Sequence, residues 1–380
     1  MKRIISIVLS LIIFCTLFSA TTVSAKVNKG KCGKNITYKL DTNKKELTIS
    51  GKGDMYGYLS LRQYPLSTLD FDNSHRKYFA PWVKIKTYVD DNRMVIGKLA
   101  KNNCRVSVGE GITSIGSNAF CGVTFTNPEQ TFTLPNTVNK IYGGAFMDSE
   151  VNTIKIPDNV TELSSKVVYY KDNREYPSLG CFDCCSAKRI LISEKSKLKH
   201  IGDNAFKWCS VEYFNDNNSF PNVTYVGYEA FFGCDGISSI SLPKAEVYGR
   251  AFIYCENLKK ADVSGTKKIR ACTFQNCPEL EEVKLGDKLT YIGRGAFQSC
   301  VSLKQITIPK NVQEIKDAAF NNCEKLKTVV IKSKKLKTVE DSAFTYVSDN
   351  VVFKVPKSKL KQYKALISPN APAKAKFVGI

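Results

Sequence analysis

A pattern of apolar positions recurs along most of the 380-residue chain, and each copy is anchored by a phenylalanine. The anchors, most of them preceded by alanine, are Phe120, Phe146, Phe182, Phe206, Phe231, Phe252, Phe274, Phe297, Phe320 and Phe344. Successive anchors are 21 to 26 residues apart, except for one step of 36 residues. Self-similarity at such a period predicts a solenoid in which each repeat stacks on the next. The long step predicts an insertion near residues 164–178.

Other apolar positions keep a constant spacing from the phenylalanine. In seven units a cysteine follows three residues later, at Cys185, Cys209, Cys234, Cys255, Cys277, Cys300 and Cys323. In five successive units apolar residues follow six, nine and eleven positions later, as at Leu303, Ile306 and Ile308. The last two positions alternate with polar residues, which is typical of a short strand with one buried face.

These positions predict a repeat solenoid of about ten units over residues 108–349. Short parallel strands are expected on one face and turn-like segments on the other, with the phenylalanines and cysteines in interior columns. Residues 26–107, with predicted strands at 36–40 and 47–50, and residues 350–380 are expected to be terminal caps. Such caps are needed because the end units of a solenoid otherwise expose apolar surface.

The full repeat unit resembles the BspA-like class of leucine-rich repeats. It is represented here by Gly295-Ala296-Phe297, Cys300, Leu303, Ile306, Ile308 and Pro309. Segments near both ends also resemble that family: Cys32-Gly33 and Pro81-Trp82 on one side, Val355-Pro356-Lys357 with Tyr363 on the other. The resemblance implies a leucine-rich-repeat-type stack over nearly the whole chain after residue 25. It also implies a bacterial surface or secreted protein that works by binding and adhesion.

The first 25 residues have the pattern of a cleavable export signal. Lys2 and Arg3 precede an apolar run over residues 4–18, and Val23-Ser24-Ala25 supplies small residues for cleavage. The apolar run is shorter than the roughly 20 residues of a membrane span, so we expect no transmembrane anchor after cleavage. An uncleaved membrane anchor is the alternative.

The charge of the chain narrows the class of partner. A formal net charge of +21 predicts attraction to anionic surfaces such as wall polymers, acidic glycans or lipid headgroups. No helix-turn-helix, zinc-finger or aromatic RNA-binding motif accompanies this charge, so nucleic acid is not an expected partner.

The cysteines have three possible roles: packing, disulfide bonding and metal binding. Seven of them follow the repeat phase, which favours burial as small apolar side chains. Cys32 and Cys104 lie outside that phase and are the best disulfide candidates. The sequence leaves open the disulfide state of all the cysteines off the phase, which include Cys32, Cys104, Cys181, Cys184 and Cys272.

No constellation of catalytic residues is evident. The chain has two histidines, His75 and His200, too few and too isolated for a nucleophile–histidine–acid site. We find no carboxylate pair in a pocket-forming context and no phosphate-binding loop. We therefore expect no enzyme activity, no cofactor and no metal site.

The outward positions of the predicted strands are the candidate binding face, since extended solenoid surfaces serve recognition. They are Ser239, Ser241, Lys260, Asp262, Glu282, Lys284, Gln305, Thr307 and Thr328. A merely solvated sheet face is the alternative.

A second candidate surface lies near the C-terminus, where residues 321–380 contain thirteen lysines and four acidic residues. The candidate patch for an anionic polymer is Lys332, Lys334, Lys335 and Lys337; the alternative is that these lysines only maintain solubility. We expect a secreted or surface-associated protein that binds an extracellular protein or glycan, such as one from a host. The alternative is a structural cell-envelope protein held by charge on anionic wall polymer.

Overall fold

The computed structural model describes most of the chain after the predicted signal. The described residues are 27–58, 80–82, 84–89, 95–100, 102–126, 131–168, 175–176, 178–215 and 218–380. The predicted signal peptide of residues 1–25 and His75 lie outside the described residues.

The described chain forms a parallel-strand solenoid of about eleven turns with little helix, as the repeat pattern predicts. One side of the solenoid, termed the long-strand side, carries the strands that follow each phenylalanine turn. Its strands are Asn102–Val108, Val123–Phe125, Thr131–Thr133, Glu150–Ile156, Ser186–Ile192, Tyr213–Phe214, Ser239–Ser241, Lys260–Asp262, Glu282–Lys284, Gln305–Ile308, Thr328–Ile331, Val352–Val355 and Lys376–Gly379. They pair in parallel, in three hydrogen-bonded runs.

A second side, termed the short-strand side, also carries parallel strands. They are Ile112–Ile115, Lys140–Ile141, Glu162–Leu163, His200–Ile201, Tyr225–Val226, Glu246–Val247, Lys268–Ile269, Tyr291–Ile292, Glu314–Ile315 and Thr338–Val339. Parallel strands therefore occupy a second side in addition to the face on which the sequence predicted them. Most of these strands contain two residues, which is too short for the alternation of apolar and polar positions that reveals a strand in a sequence.

The third side carries the phenylalanines and is also a hydrogen-bonded ladder, although its residues are turns. The amide of Phe297 donates to the carbonyl of Ala319 in the next turn at 2.8 Å. Gly295 and Ser299, two residues before and after, donate in the same direction at 3.0 and 2.9 Å. Equivalent bonds recur from turn to turn, so the backbone polar groups of this side are paired between turns.

This turn ladder depends on left-handed backbone at two positions in most units. In the Phe297 unit, Gly295 has φ 57° and Ser299 has φ 60°. Side chains are disfavoured there because Cβ crowds the following carbonyl oxygen. Glycine, asparagine and serine fill many of these positions, whereas the bulky Trp208, Arg250 and Tyr254 occupy them in neighbouring units.

The predicted phenylalanine column lies at the centre of the solenoid. From Phe120 to Phe344, each ring stacks on the next at centroid distances of 5.0–5.4 Å and interplanar angles of 3–24°. All ten side chains are fully buried. The apolar positions that follow them are buried too, except that Val283 and Leu285 are only partly covered.

The N-terminal part is joined directly to the solenoid. Val27–Asp41 and Glu46–Met55 form an antiparallel hairpin, and Glu46–Met55 also pairs in parallel with the first strand of both solenoid sheets. A second antiparallel pair is formed by Lys84–Val89 and Val95–Ala100. Trp82 is buried beside Phe120, with its Nε1 donating to the carbonyl of Ala119 at 2.6 Å. Trp82 therefore covers the N-terminal end of the phenylalanine column.

The long step of the repeat corresponds to a segment outside the stack. Val167–Val168 and Glu175–Tyr176 pair as an antiparallel ribbon within the predicted insertion. The rings of Phe146 and Phe182, on either side of it in sequence, still stack at 5.0 Å. The insertion therefore leaves the column uninterrupted.

The C-terminal residues cover the other end of the core. The ring of Phe353 packs edge-on against Phe344 at 5.0 Å, and Tyr363 is fully buried. Tyr363 lies on the α-helix Leu360–Ile367, which is flanked by 3₁₀ turns at Lys357–Lys359 and Ser368–Asn370. Its hydroxyl accepts a hydrogen bond from the amide of Leu336 at 3.0 Å, so this helix is fixed to the last short-strand turn.

We predict that Phe297→Ala destabilises the protein by about 3–5 kcal/mol, because it removes a fully buried ring from between two stacked neighbours. Loss of structure should begin in the adjoining turns, because solenoids are nearly nearest-neighbour systems. Thermal and denaturant unfolding would measure the effect. Tyr346→Ala is the matched control, since Tyr346 is 71% exposed. Unchanged melting of Phe297→Ala would contradict the column.

Candidate functional site

The structure brings the residues of the predicted binding face together on the long-strand side. Ser239, Lys260 and Glu282 stand opposite one another in the register of three successive strands. Ser241, Asp262 and Lys284 form the parallel row two residues along. In a second run of strands Gln305 is opposite Thr328, and Thr307 lies two residues after Gln305 on the same face.

Charged side chains of this face pair with one another between turns. Lys260 Nζ lies 3.4 Å from Glu282 Oε2, and Lys284 Nζ lies 2.9 Å from Asp262 Oδ2. Partial burial of Asp262 opposes ionisation, but hydrogen bonds from Ser264 and Lys284 outweigh it and lower the pKa of this carboxyl. Exposed pairs of this kind contribute only about 0–1 kcal/mol, so a partner can displace them at small cost.

The lysine patch lies beside the short strand Thr338–Val339. Lys332, Lys334, Lys335 and Lys337 are all exposed, whereas Ser333 between them is buried. Lys335 Nζ donates to Asn311 Oδ1 at 2.7 Å. The patch therefore presents several lysine ammonium groups from one segment.

The turn side also carries an aromatic surface that the sequence did not predict. Trp208, Tyr228 and Tyr254 are each more than 40% exposed, and Phe232 packs against both Trp208 and Tyr254. These residues belong to three successive repeats. The available signal, at Trp208 and Tyr254, was an aromatic side chain two residues after the anchoring phenylalanine, where most other units have a smaller residue.

The cysteine column consists of buried thiols, as the repeat phase predicts. The five thiols from Cys234 to Cys323 each donate to the carbonyl of the phenylalanine in the preceding unit, as from Cys300 to Phe274 at 3.1 Å and from Cys277 to Phe252 at 3.0 Å. Burial raises the pKa of the Cys277 thiol to about 12. A thiol at this position therefore packs in the core and also donates to an interior carbonyl.

Cys32 and Cys104, the two disulfide candidates, are both buried and are not bonded to each other. They lie at opposite ends of the ten-residue strand Glu46–Met55. The carbonyl of Cys32 accepts a hydrogen bond from the amide of Tyr56, just after the strand ends, whereas Cys104 immediately precedes Arg105, which pairs with Glu46 at the start of the strand. A disulfide requires Cα atoms within roughly 7 Å. The bond is therefore excluded by the position of the intervening strand.

The part of the chain that the structure describes contains no cluster of side chains arranged as metal ligands. There, no three His, Cys, Asp or Glu side chains converge in a group that could hold a metal ion. His200 is exposed and stacks on Tyr225 at a centroid distance of 4.2 Å. Among the same residues no helix has the length and apolar character needed to cross a membrane.

Comparison with known families agrees with the geometry. The model described as a BspA type leucine rich repeat region matches six copies, over residues 99–179, 178–266 and 267–365. The chain belongs to this family. Members of the BspA-type family share a repeat scaffold, which here is the three-sided stack described above. No curated protein matches the chain.

Several solved bacterial structures are similar to this BspA-type chain. A leucine-rich repeat protein from Bacteroides ovatus is 21% identical, with coverage of 92% of this chain and 99% of that one and a TM-score of 0.42. The pneumococcal vaccine antigen PcpA is 17% identical, with coverages of 94% and 99% and a TM-score of 0.34. A leucine rich cell surface protein from Faecalibacterium prausnitzii is 16% identical, with coverages of 95% and 97% and a TM-score of 0.31.

We predict that the column thiols react slowly in the native protein, because they are buried and their pKa values are raised, to about 12 at Cys277 and Cys323. Labelling with a maleimide followed by peptide mass spectrometry should modify Cys277, Cys300 and Cys323 rapidly only in denaturant. The half-buried Cys272 is the internal comparison and should react faster. Native labelling of Cys300 as fast as Cys272, or a Cys277–Cys300 disulfide in most molecules, would contradict the packing role.

Proposed function

We propose that this chain is an exported binding protein that recognises an extracellular protein or glycan through the outer surface of its solenoid. The observation that carries the proposal is the alignment of outward polar side chains on successive strands of the long-strand side. The interior behind them is continuous and buried. A surface of this kind is extended and preorganised, which reduces the ordering cost of binding.

A secreted or surface-associated location is part of this proposal. It is supported by the export-signal pattern of residues 1–25 and by membership of the BspA-type family. The family is a repeat scaffold of leucine-rich repeat proteins, and an extended solenoid surface suits recognition. Recognition is therefore the activity that best suits the molecule.

The lysine patch favours a second candidate function, a structural envelope protein held by charge on anionic wall polymer. Lysine is a flexible, strongly hydrated point charge that suits a diffuse polymer better than a bidentate site. Exposed contacts of this kind are screened by salt, because the Debye length is about 8 Å at physiological ionic strength.

Two matched variants distinguish these functions. The face variant carries Lys260→Ala, Glu282→Ala and Gln305→Ala, which leaves the net charge unchanged. The patch variant carries glutamate at positions 332, 334, 335 and 337. We predict that the face variant weakens binding to a partner found by glycan array or host-protein capture by about tenfold or more at physiological salt. The patch variant should retain that binding.

The envelope function predicts the opposite pattern. Binding to isolated cell wall should then fall steeply with salt and with the patch variant, while the face variant binds normally. Circular dichroism and melting of both variants would show that the fold is retained. Failure of the wild-type chain to bind any array glycan, host protein or wall preparation would contradict both functions.

A further inference from the structure

Three exposed aromatic residues of the turn side, Trp208, Tyr228 and Tyr254, lie around Phe232, and these four residues are termed here the aromatic cluster. Trp208 and Tyr254 lie edge-on against Phe232, at centroid distances of 4.9 and 5.5 Å. Trp208 is 47% exposed, Tyr228 43% and Tyr254 41%, whereas Phe232 is nearly buried beneath them. The cluster therefore presents aromatic surface from three consecutive turns to solvent.

Two residues of the cluster have a backbone conformation that aromatic residues rarely adopt. Trp208 has φ 53° and Tyr254 has φ 60°, in the left-handed region that favours glycine. The equivalent position of the intervening turn is Gly233, and a Cβ there would lie 2.2 Å from Trp208 Cε3. The missing side chain of Gly233 thus makes room for the indole. The turn ladder requires left-handed backbone at this position, and the bulky Trp208 and Tyr254 are not the residues that such a turn favours.

Two cations adjoin the aromatic faces. Lys207 Nζ lies 5.0 Å from the centroid of Phe232, and the Arg250 guanidinium carbon lies 5.9 Å from it and 5.7 Å from that of Tyr228. The buried carboxylate of Glu229 holds both, at 2.5 Å from Lys207 Nζ and 3.0 Å from Arg250 Nε. A second carboxylate lies at the edge of the cluster, where Asp203 Oδ1 accepts a hydrogen bond from the amide of Tyr228 at 2.8 Å. Because the Arg250 side chain is 41% exposed, its guanidinium still presents donors outward.

We propose that the aromatic cluster, with Lys207 and Arg250, binds an acidic oligosaccharide. Sugar C–H groups carry partial positive charge and pack on the negative faces of aromatic rings. A carboxylate or sulfate on the sugar pairs with the guanidinium, whose fork of donors fits an oxyanion in a bidentate manner. Successive turns repeat at about 4.8 Å, a spacing close to the length of one sugar ring in an extended chain. The ligand therefore lies along the solenoid axis, from Trp208 towards Tyr254.

A purely apolar protein surface fits this cluster less well, because it would bury Lys207 and Arg250 with one carboxylate between them. A neutral glycan would leave the exposed guanidinium of Arg250 without an anionic partner. The acidic oligosaccharide satisfies both the rings and the cations. This assignment rests on the proposed binding function and names a ligand class and a second surface for it.

Isothermal titration calorimetry with three octasaccharides of matched length tests the assignment: one derived from hyaluronan, one from heparin and one neutral maltodextrin. We expect the purified chain to bind at least one acidic octasaccharide at least tenfold more tightly than the neutral one. Binding of the hyaluronan octasaccharide would show that a carboxylate is a sufficient anion for the site. Binding of the heparin octasaccharide alone would show that the site requires a sulfate. Equal binding of all three, or binding of none, overturns the proposal.

Variants locate the site. Trp208→Gly suits the left-handed backbone, so it should fold normally and yet weaken binding at least tenfold, as should Arg250→Gln. The matched controls are Tyr346→Gly, an exposed aromatic with φ 58° outside the cluster, and Arg294→Gln, an exposed arginine paired with Asp317. Both controls should bind within twofold of the wild type.

Should Arg250→Gln melt early, Trp208→Gly decides the outcome alone. Acidic-saccharide binding that is unchanged in Trp208→Gly overturns the assignment of this cluster. Another outcome is that the chain fails to bind acidic saccharides and still captures another partner. If the variant at Lys260, Glu282 and Gln305 then weakens that capture, the proposed function stands and only the acidic-saccharide assignment fails. Absence of every partner, by contrast, removes both.

Discussion

The structure depends on the contact that each anchoring phenylalanine makes with the next turn. Its ring stacks on the following ring, while its amide donates to an interior carbonyl of the following turn, at 2.8 Å from Phe297 to Ala319. The two interactions share one residue, so ring stacking and backbone pairing are in register. Because each turn contacts only its neighbours, this local rule is sufficient to build the whole stack.

Several features follow from that constraint. The phenylalanine amide points along the axis only if the backbone bends on both sides of it, which accounts for left-handed residues such as Gly295 and Ser299. The carbonyl of the phenylalanine also points along the axis. It accepts a hydrogen bond from the cysteine that follows the next phenylalanine by three residues, as Phe274 does from Cys300. The ends of the column require covers, supplied by Trp82 and by Phe353 with Tyr363.

The repeat period predicted the interior from sequence, because inward positions such as Phe297, Cys300 and Ile306 must repeat for the turns to stack. The short strands were missed, since two residues carry no alternation. The aromatic cluster was missed for a different reason. Trp208, Phe232 and Tyr254 occupy different repeats, and only the stacking of turns brings them together. The predicted binding face shows where outward residues lie, but the pairing of Lys260 with Glu282 requires side-chain geometry.

The outer surfaces differ in what they offer to a partner. The long-strand side is polar, with charges that pair across turns. The turn side has aromatic rings beside cations that are paired with a buried carboxylate. Under the proposed function, the long-strand side suits a broad protein contact in which each residue contributes little binding energy. The turn side concentrates aromatic rings and charge in three turns. A solenoid can carry both surfaces because its interior does not depend on them.

The most direct test of the turn-side ladder is native-state hydrogen exchange of the phenylalanine amides. Amide hydrogens of surface-exposed turns exchange quickly. Amides that are hydrogen-bonded between packed elements exchange only when those elements open. We expect the amides of Phe274, Phe297 and Phe320 to be protected to the same degree as those of the strand Gln305–Ile308. Exchange of these phenylalanine amides at the rate of an open turn, with the strand still protected, would contradict the account.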